Sequence, residues 1–261
     1  MPTSKASAAN EPMSISPLDT ETLRFYILGT TPLICNRMSE KARQQLLMPR
    51  PRMNAVQKAS NLKHDPLEEF RASPYTLEDP NAPTYIAVMA SSFKGAMRNA
   101  ALDIPGTFKS QIGRLVQVNG EYVAVYGSPV LKMDVTRSAD AAKTPDVRSR
   151  VALPEWCAEI TVTFVRPNLT KEGIANLLAA GGITSGIGDW RPEKGMGTFG
   201  SYQVVNADNP EFLRRQSEYG RAHQIAAMAN PVSYDHETES LLDWYDAEVG
   251  RRTKVRGVSA A

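Results

Sequence analysis

The sequence predicts an α+β sandwich: an antiparallel sheet with helices on one face and loops reaching from the other. Three observations carry this. Ala158-Glu-Ile-Thr-Val-Thr-Phe-Val165 alternates apolar and polar residues with the period of a half-buried strand. Asn119-Gly120 lies between two apolar runs, Leu115-Val-Gln-Val118 and Tyr122-Val-Ala-Val125, the pattern of a tight hairpin. Strands and helices also follow one another without the regular alternation that a parallel sheet requires.

The elements follow in order. Residues 1–20 are rich in Ser, Ala, Pro and Asn and read as a disordered lead-in. Leu23 to Leu28 is a strand closed by Gly29, and Thr30 to Ile34 is an extended step after it. Ser39 caps a helical run through Leu47, which Pro49 and Pro51 break. A second helical pattern runs from about Asn54 to Phe70 and is interrupted near Pro66. Tyr75 to Pro83 is a loop, and Thr84 to Met89 a short buried strand. Ser91 or Ser92 caps a helix from Phe93 to Leu102. Pro129 to Thr136 is another strand, and Ser138 to Asp146 is polar and mobile. Thr170 caps a helix running to Ala180. After Asn206, Pro210 to Met228 and Thr238 to Val249 read as helices separated at Asn230-Pro231. The chain ends in the basic run Arg251-Arg-Thr-Lys-Val-Arg256.

With 261 residues and 42% hydrophobic content, the chain suits one large domain, or a core with a sizeable insertion. A net charge of +2 is too small for whole-molecule attraction to nucleic acid, so such binding needs a local basic surface. The two cysteines, Cys35 and Cys157, stand apart from each other and from any histidine in sequence, which argues against zinc. With no secretory apolar segment, the expected setting is reduced and cytoplasmic. No apolar run reaches membrane-spanning length, so no membrane partner is expected.

The most informative stretch is Gly181 to Gly200, which crowds glycines around Trp190, Arg191 and Lys194 before a strand from Ser201 to Val205. Such a loop can lay backbone N–H groups and two cations along a phosphate chain; it can also be a floppy turn. The helix after Ala90 sets Lys94 and Arg98 four residues apart on one face, with Ser91 and Ser92 at its N-terminus. That is either an anion site or a solvated amphipathic helix packed through Gly95. Arg137, Lys143, Arg148 and Arg150 lie around the polar segment, interleaved with Asp134, Asp140 and Asp146. They read as a basic arm over a nucleic-acid backbone or as a solvated hairpin. Arg148 and Arg150 share strand parity and would face the same way. Asn36 and Arg37 follow the first strand and join the same surface.

Catalytic signals are poor. His64, His223 and His236 have no metal-ligand neighbour at helical spacing, and no serine nucleophile elbow exists. In Lys63-His-Asp-Pro66 the His-Asp pair reads as a cap. Asp189 reads as the residue that orients Arg191 or caps its own turn. Gly186 and Gly188 precede a strand rather than a helix, which removes a dinucleotide fingerprint. No catalytic residue, metal or cofactor is expected.

Three stretches, in order, resemble the RAMP superfamily, the ferredoxin-like RNA-binding proteins of CRISPR systems. Gly29-Thr-Thr-Pro-Leu-Ile34 matches the end of that family's first strand. Ile86-Ala-Val-Met-Ala-Ser-Ser-Phe-Lys-Gly-Ala-Met-Arg98 is similar to its Pro-Gly-Ser-Ser-Leu-Lys-Gly-aliphatic-aliphatic-Arg motif, with Met89-Ala90 where Pro-Gly usually stands. Gly186-Ile-Gly-Asp-Trp-Arg-Pro-Glu-Lys-Gly-Met-Gly-Thr-Phe-Gly200 is similar to its glycine-rich loop. Within the superfamily the chain looks most like the backbone subunit that polymerises along a guide RNA, or a stand-alone phage or plasmid relative that coats single strands outside any CRISPR complex.

The resemblance implies a ferredoxin-like, RRM-type antiparallel palm over 21–206. It carries an inserted helical subdomain at 37–75 and a thumb hairpin within 129–150, centred by position on Lys132 to Asp146. C-terminal helices and a basic tail occupy 207–261. It implies RNA contacts from Ser91, Ser92, Lys94 and Arg98, and from Gly188, Trp190, Arg191, Lys194 and Gly195 in the loop. Asn36, Arg37, Arg137, Arg148 and Arg150 complete the expected surface. Trp190 and Phe93 are each readable as base-stacking or as core. The expected partners are a guide-like single-stranded RNA, further copies of the chain along it, and other effector-complex subunits. The alternatives are a phage-type single-stranded DNA coating or recombination protein, a metal-dependent ribonuclease, and a subunit mimic that blocks a host CRISPR complex.

Overall fold

The computed structural model describes residues 17–38, 64–137, 145–194 and 196–259, together with Arg43 and Leu47; side chains are described through Arg251 except at 136, 137 and 145. Residues 1–16 of the lead-in, nearly all of the Ser39–Leu47 helix, residues 54–63 of the second helical pattern and the polar segment 138–144 lie outside the described residues.

The fold is α+β, with seven α-helices among the described residues. Its centre is a curled seven-stranded antiparallel sheet. The strands are β1 (Asp19–Gly29), β3 (Tyr75–Thr76), β4 (Ile86–Met89), β5 (Val116–Val118), β6 (Tyr122–Gly127), β9 (Trp156–Arg166) and β10 (Tyr202–Val205). Their order is β10-β1-β9-β6-β4-β3, with β5 also paired to β9. A second sheet joins β2 (Leu33–Ile34), β8 (Pro145–Leu153) and β7 (Val130–Arg137) in the order β2-β8-β7.

β1 begins four residues before the predicted Leu23, because β9 is long enough to pair with it from Asp19↔Arg166 to Leu28↔Cys157. The added turns of ladder carry a cross-strand pair, Thr22 Oγ1 to Thr163 Oγ1 at 2.9 Å. Alternation sorts the strand's side chains onto two faces. Phe25 and Ile27 enter the main core, while Tyr26 and Leu28 join a second cluster with Cys157 and Phe212.

Helices α2 (Ala90–Ala100) and α4 (Lys171–Thr184) cover the first face through Phe93, Met97, Ile174 and Leu178. α4 passes the predicted end at Ala180 and runs through two glycines. A Cβ on Gly181 would meet the Ala96 backbone at 3.0 Å, and one on Gly182 would collide with the Tyr202 carbonyl. These glycines are therefore packing positions that let α4 approach α2 and β10, not a helix stop. The second face is covered at one end by α5 (Pro210–Glu218), whose Phe212 meets Tyr26 edge-on at 5.3 Å. Helices thus lie on both faces, against the prediction of one.

The hairpin expectation at Asn119-Gly120 fails. β5 and β6 do not pair with each other; both run antiparallel to β9, at Val116↔Phe164 and at Val125↔Ala158. From Asn119, whose N–H bonds the Thr161 carbonyl at 2.8 Å, to Val125 the chain spends six steps against three on β9. The surplus forms an outward excursion with Gly120 at φ +84°. Its Glu121 carbonyl accepts the Ala90 N–H at 2.9 Å, and Tyr122 pairs with Met89. The apolar runs fit either arrangement; the long β9 partner decides between them.

The remaining helices lock the ends. α1 (Pro66–Ala72) begins where the sequence pattern was expected to break: Pro66 occupies its first turn and Asp65 caps it by accepting the Glu68 N–H at 3.0 Å. The short α3 (Lys109–Leu115) leads into β5. The predicted helix from Pro210 to Met228 is two, α5 and α6 (Arg221–Ala229), because Gly220 is extended between them. From α6 the fully buried Gln224 accepts from Tyr85 N and Ile86 N and donates to Val125 O and Gly127 O. One amide thereby joins β4 to β6. α7 (His236–Ser259) continues through the basic run and packs on β7. The C-terminal helices fold onto the core.

Candidate functional site

The three stretches singled out in the sequence line one cleft of about 350 Å³. Ile34, Cys35 and Asn36 come from the segment leaving β2. Ser91, Ser92, Gly95, Ala96 and Asn99 come from α2, and Gly186 to Asp189, Arg191 and Glu193 from the glycine loop. On α2, Ser92, Gly95, Ala96 and Asn99 recur at i, i+3, i+4 and i+7, a single stripe. Asn99 was missed in the sequence reading, although that spacing exposes it.

The glycine loop is not floppy. Gly200 N donates to Pro32 O at 2.8 Å, Asp189 N to Ile34 O at 3.1 Å, and Ile187 N to Gly200 O at 2.9 Å. Gly188 sits at φ +78°, and a Cβ there would meet the Ile34 carbonyl at 2.6 Å, so only glycine lets the loop lie this close to the β2 exit. Several amides expected to face phosphate are spent on this anchoring. Trp190 is the one non-glycine residue at positive φ, +51°, among the described residues. Its ring tilts against Phe199, with centroids 6.4 Å apart, and remains 37% exposed.

α2 starts at Ala90, earlier than predicted. Met89 is its N-cap and supplies no side-chain hydrogen bond, so Ser91 and Ser92 lie in the first turn rather than capping it. The Ala90 N–H is taken by Glu121 O. The following first-turn amides have no intrahelical acceptor, there is no acidic residue in that turn, and it opens on the cleft. Lys94 and Arg98 stand on the neighbouring face of α2, off the cleft lining, and Arg98 lies against Gly113 of α3. Lys94, Arg98 and Lys194 make no ion pair with any described residue.

The other expected cations are engaged. Arg191 donates from Nε to Glu193 at 2.8 Å and from an Nη to the Gly188 carbonyl at 2.9 Å. Arg150 is buried at 4% exposure, bonds the Asp189 carboxylate, and lies 6.0 Å from the Trp190 ring centroid. Asp189 therefore serves Arg150 and Asn36, which donates to it at 3.2 Å, and not Arg191. Arg148 shares the parity of Arg150 but is exposed and pairs with Asp146 at 3.4 Å. The two do not form one basic surface, because the β8 strand passes from solvent to core between them. Arg37 stacks 5.7 Å from the Tyr75 ring centroid. Phe93 is wholly buried core. Gly195 and the Arg137 side chain lie outside the described residues.

A scan against protein-family models and a search of curated proteins return no match to this chain.

The chemistry of the cleft is that of a polar, near-neutral groove with an open helix N-terminus. Burial pushes the Cys35 thiol up to about 12, so it stays protonated and is no nucleophile. Among the described residues no three His, Cys, Asp or Glu side chains converge on a metal position. His64 lies elsewhere: Nδ1 meets Glu69 at 2.6 Å and Nε2 meets Asp146 at 2.9 Å, tying α1 to β8. No described helix is long and apolar enough to cross a membrane.

Proposed function

We propose that the cleft holds the backbone of single-stranded RNA without cleaving it, and that copies of the chain repeat along the strand as a CRISPR-type ribonucleoprotein filament. The observation that carries this reading is the convergence of three remote stretches, at 34–36, 88–99 and 186–193, on one groove at an uncapped helix N-terminus. Lys94, Arg98 and Lys194 stand beside it outside any described ion pair.

The ferredoxin-like, RRM-type reading draws support from the order β10-β1-β9-β5, with α2 and α4 packed on one face. On this reading the β7–β8 hairpin is the thumb. Phosphate oxygens take the first-turn amides and hydroxyls of Ser91 and Ser92, and Lys94, Arg98 and Lys194 supply the long-range attraction.

The test is fluorescence anisotropy with labelled oligouridine against the DNA of the same length, over a salt series. Preference for RNA, falling affinity with salt, and loss in Lys94→Ala and Arg98→Ala support the reading. Equal or stronger binding of DNA would favour a DNA-coating protein. Chain scission in magnesium would overturn the non-catalytic assignment.

A further inference from the structure

We infer that Tyr75 and Tyr122 form a stacking platform at the mouth of the cleft and take one unstacked base of the strand whose backbone the cleft holds. This rests on the proposed RNA-backbone reading and adds a base site to it.

The platform is built by the sheet. β3 and β6 flank β4 on opposite sides, with Tyr75 opposite Ala87 and Tyr122 opposite Met89. All four occupy the same face of the sheet, because Ala87 and Met89 share parity. The small Ala87 between the flanking strands lets the two rings lean over β4 and meet, centroids 5.5 Å apart and planes tilted by 40°. Tyr122 reaches this position because the excursion after Asn119 carries it off β9 and onto Met89.

Two further observations point to a base. Tyr122 is 37% exposed and Met89 is 36% exposed, so the Tyr122 ring and the Met89 side chain present an open apolar surface beside Tyr75. Tyr75 and Met89 also line the cleft itself, and Met89 is the residue from which α2 springs. A base on the rings is thus followed directly by the open amides of Ser91 and Ser92, the order in which a nucleotide presents base and phosphate. Arg37 lies over the Tyr75 ring, 5.7 Å from its centroid. A hydrogen bond with the Glu121 side chain raises the Tyr122 phenol above its ordinary value. Stacking of this kind is tolerant of base identity.

The test compares labelled oligouridine with an abasic ribose-phosphate strand of the same length, by anisotropy at low salt. The wild-type protein is expected to prefer oligouridine by about tenfold. Tyr122→Leu and Tyr75→Leu should each remove most of that preference, with abasic binding unchanged in Tyr122→Leu, while Tyr122→Phe keeps it. Cross-linking of 4-thiouridine RNA to the wild-type protein, mapped to peptides containing Tyr75 or Tyr122, gives a readout independent of how the variants fold. Equal wild-type affinity for both strands overturns the platform and leaves the backbone reading standing. Preference that survives both leucine variants, or cross-links confined to other peptides, also overturns it. Binding to neither strand overturns both.

Discussion

Arg150, on a strand of the smaller sheet, grips Asp189 of the glycine loop, and the guanidinium is almost wholly buried where they meet. This ties the β7–β8 hairpin to the cleft wall. Asp189 in turn holds Asn36, so one carboxylate gathers three segments. Replacing Arg150 by Met leaves that carboxylate without its buried partner. The variant is expected to lose roughly 3 kcal/mol in urea unfolding. Arg150→Met/Asp189→Asn should recover part of the loss, and strict additivity in the double-mutant cycle would count against a direct pair.

Gln224 makes four backbone hydrogen bonds while fully buried, to Tyr85 and Ile86 at the entry to β4 and to Val125 and Gly127 of β6. Leucine there would leave two amides and two carbonyls unpaired. The expected cost is about 3–4 kcal/mol in denaturant unfolding, since each orphaned buried group costs about 1–3 kcal/mol and the losses overlap. A change under 1 kcal/mol, roughly the worth of one hydrogen bond, would mean the strand ends find other partners.

Glu211 should shape the acid limb of stability. Hydrogen bonds from Arg214, then from Arg215, lower its pKa from 4.5 to about 2. A depressed carboxylate contributes stability above its unfolded pKa and loses it as protons bind. The urea midpoint is therefore expected to fall between pH 4.5 and 2, and Glu211→Gln should flatten that fall. Parallel pH curves for the two proteins would remove Glu211 from the account.

Glu193 occupies Arg191 at the lip of the cleft. If RNA is the ligand, Glu193→Gln frees a cation beside the strand. Affinity should rise, and the slope of log K against log salt should steepen by about 0.7, one further phosphate contact. Unchanged affinity and slope would place Arg191 away from the strand.

Much of the sheet was legible in the sequence because β9 and β4 carry clean apolar patterns, and Thr170 does cap α4 as its side chain suggests. The errors have a common physical source. Asn119-Gly120 permits a turn but does not choose its partner strand, and the eleven-residue β9 chose. Gly181 and Gly182 read as a stop because their packing against Ala96 and Tyr202 is invisible locally. At the site, residue types were legible but charge pairing was not. Arg148 and Arg150 look alike in sequence; only the tertiary position of Asp189, thirty-nine residues on, separates a buried tie from an exposed cation.

The chain is held at α1 on either side of segment 39–63. Arg37 N–H bonds the Ser73 carbonyl just after α1, and His64 pairs with Glu69 inside it. Exit and re-entry therefore both dock on one helix of seven residues, about 10 Å long. Two such neighbouring posts set the span between them without fixing the length of chain that joins them. That length can change at a small closure cost while the register of β1 on β9 stays as it is.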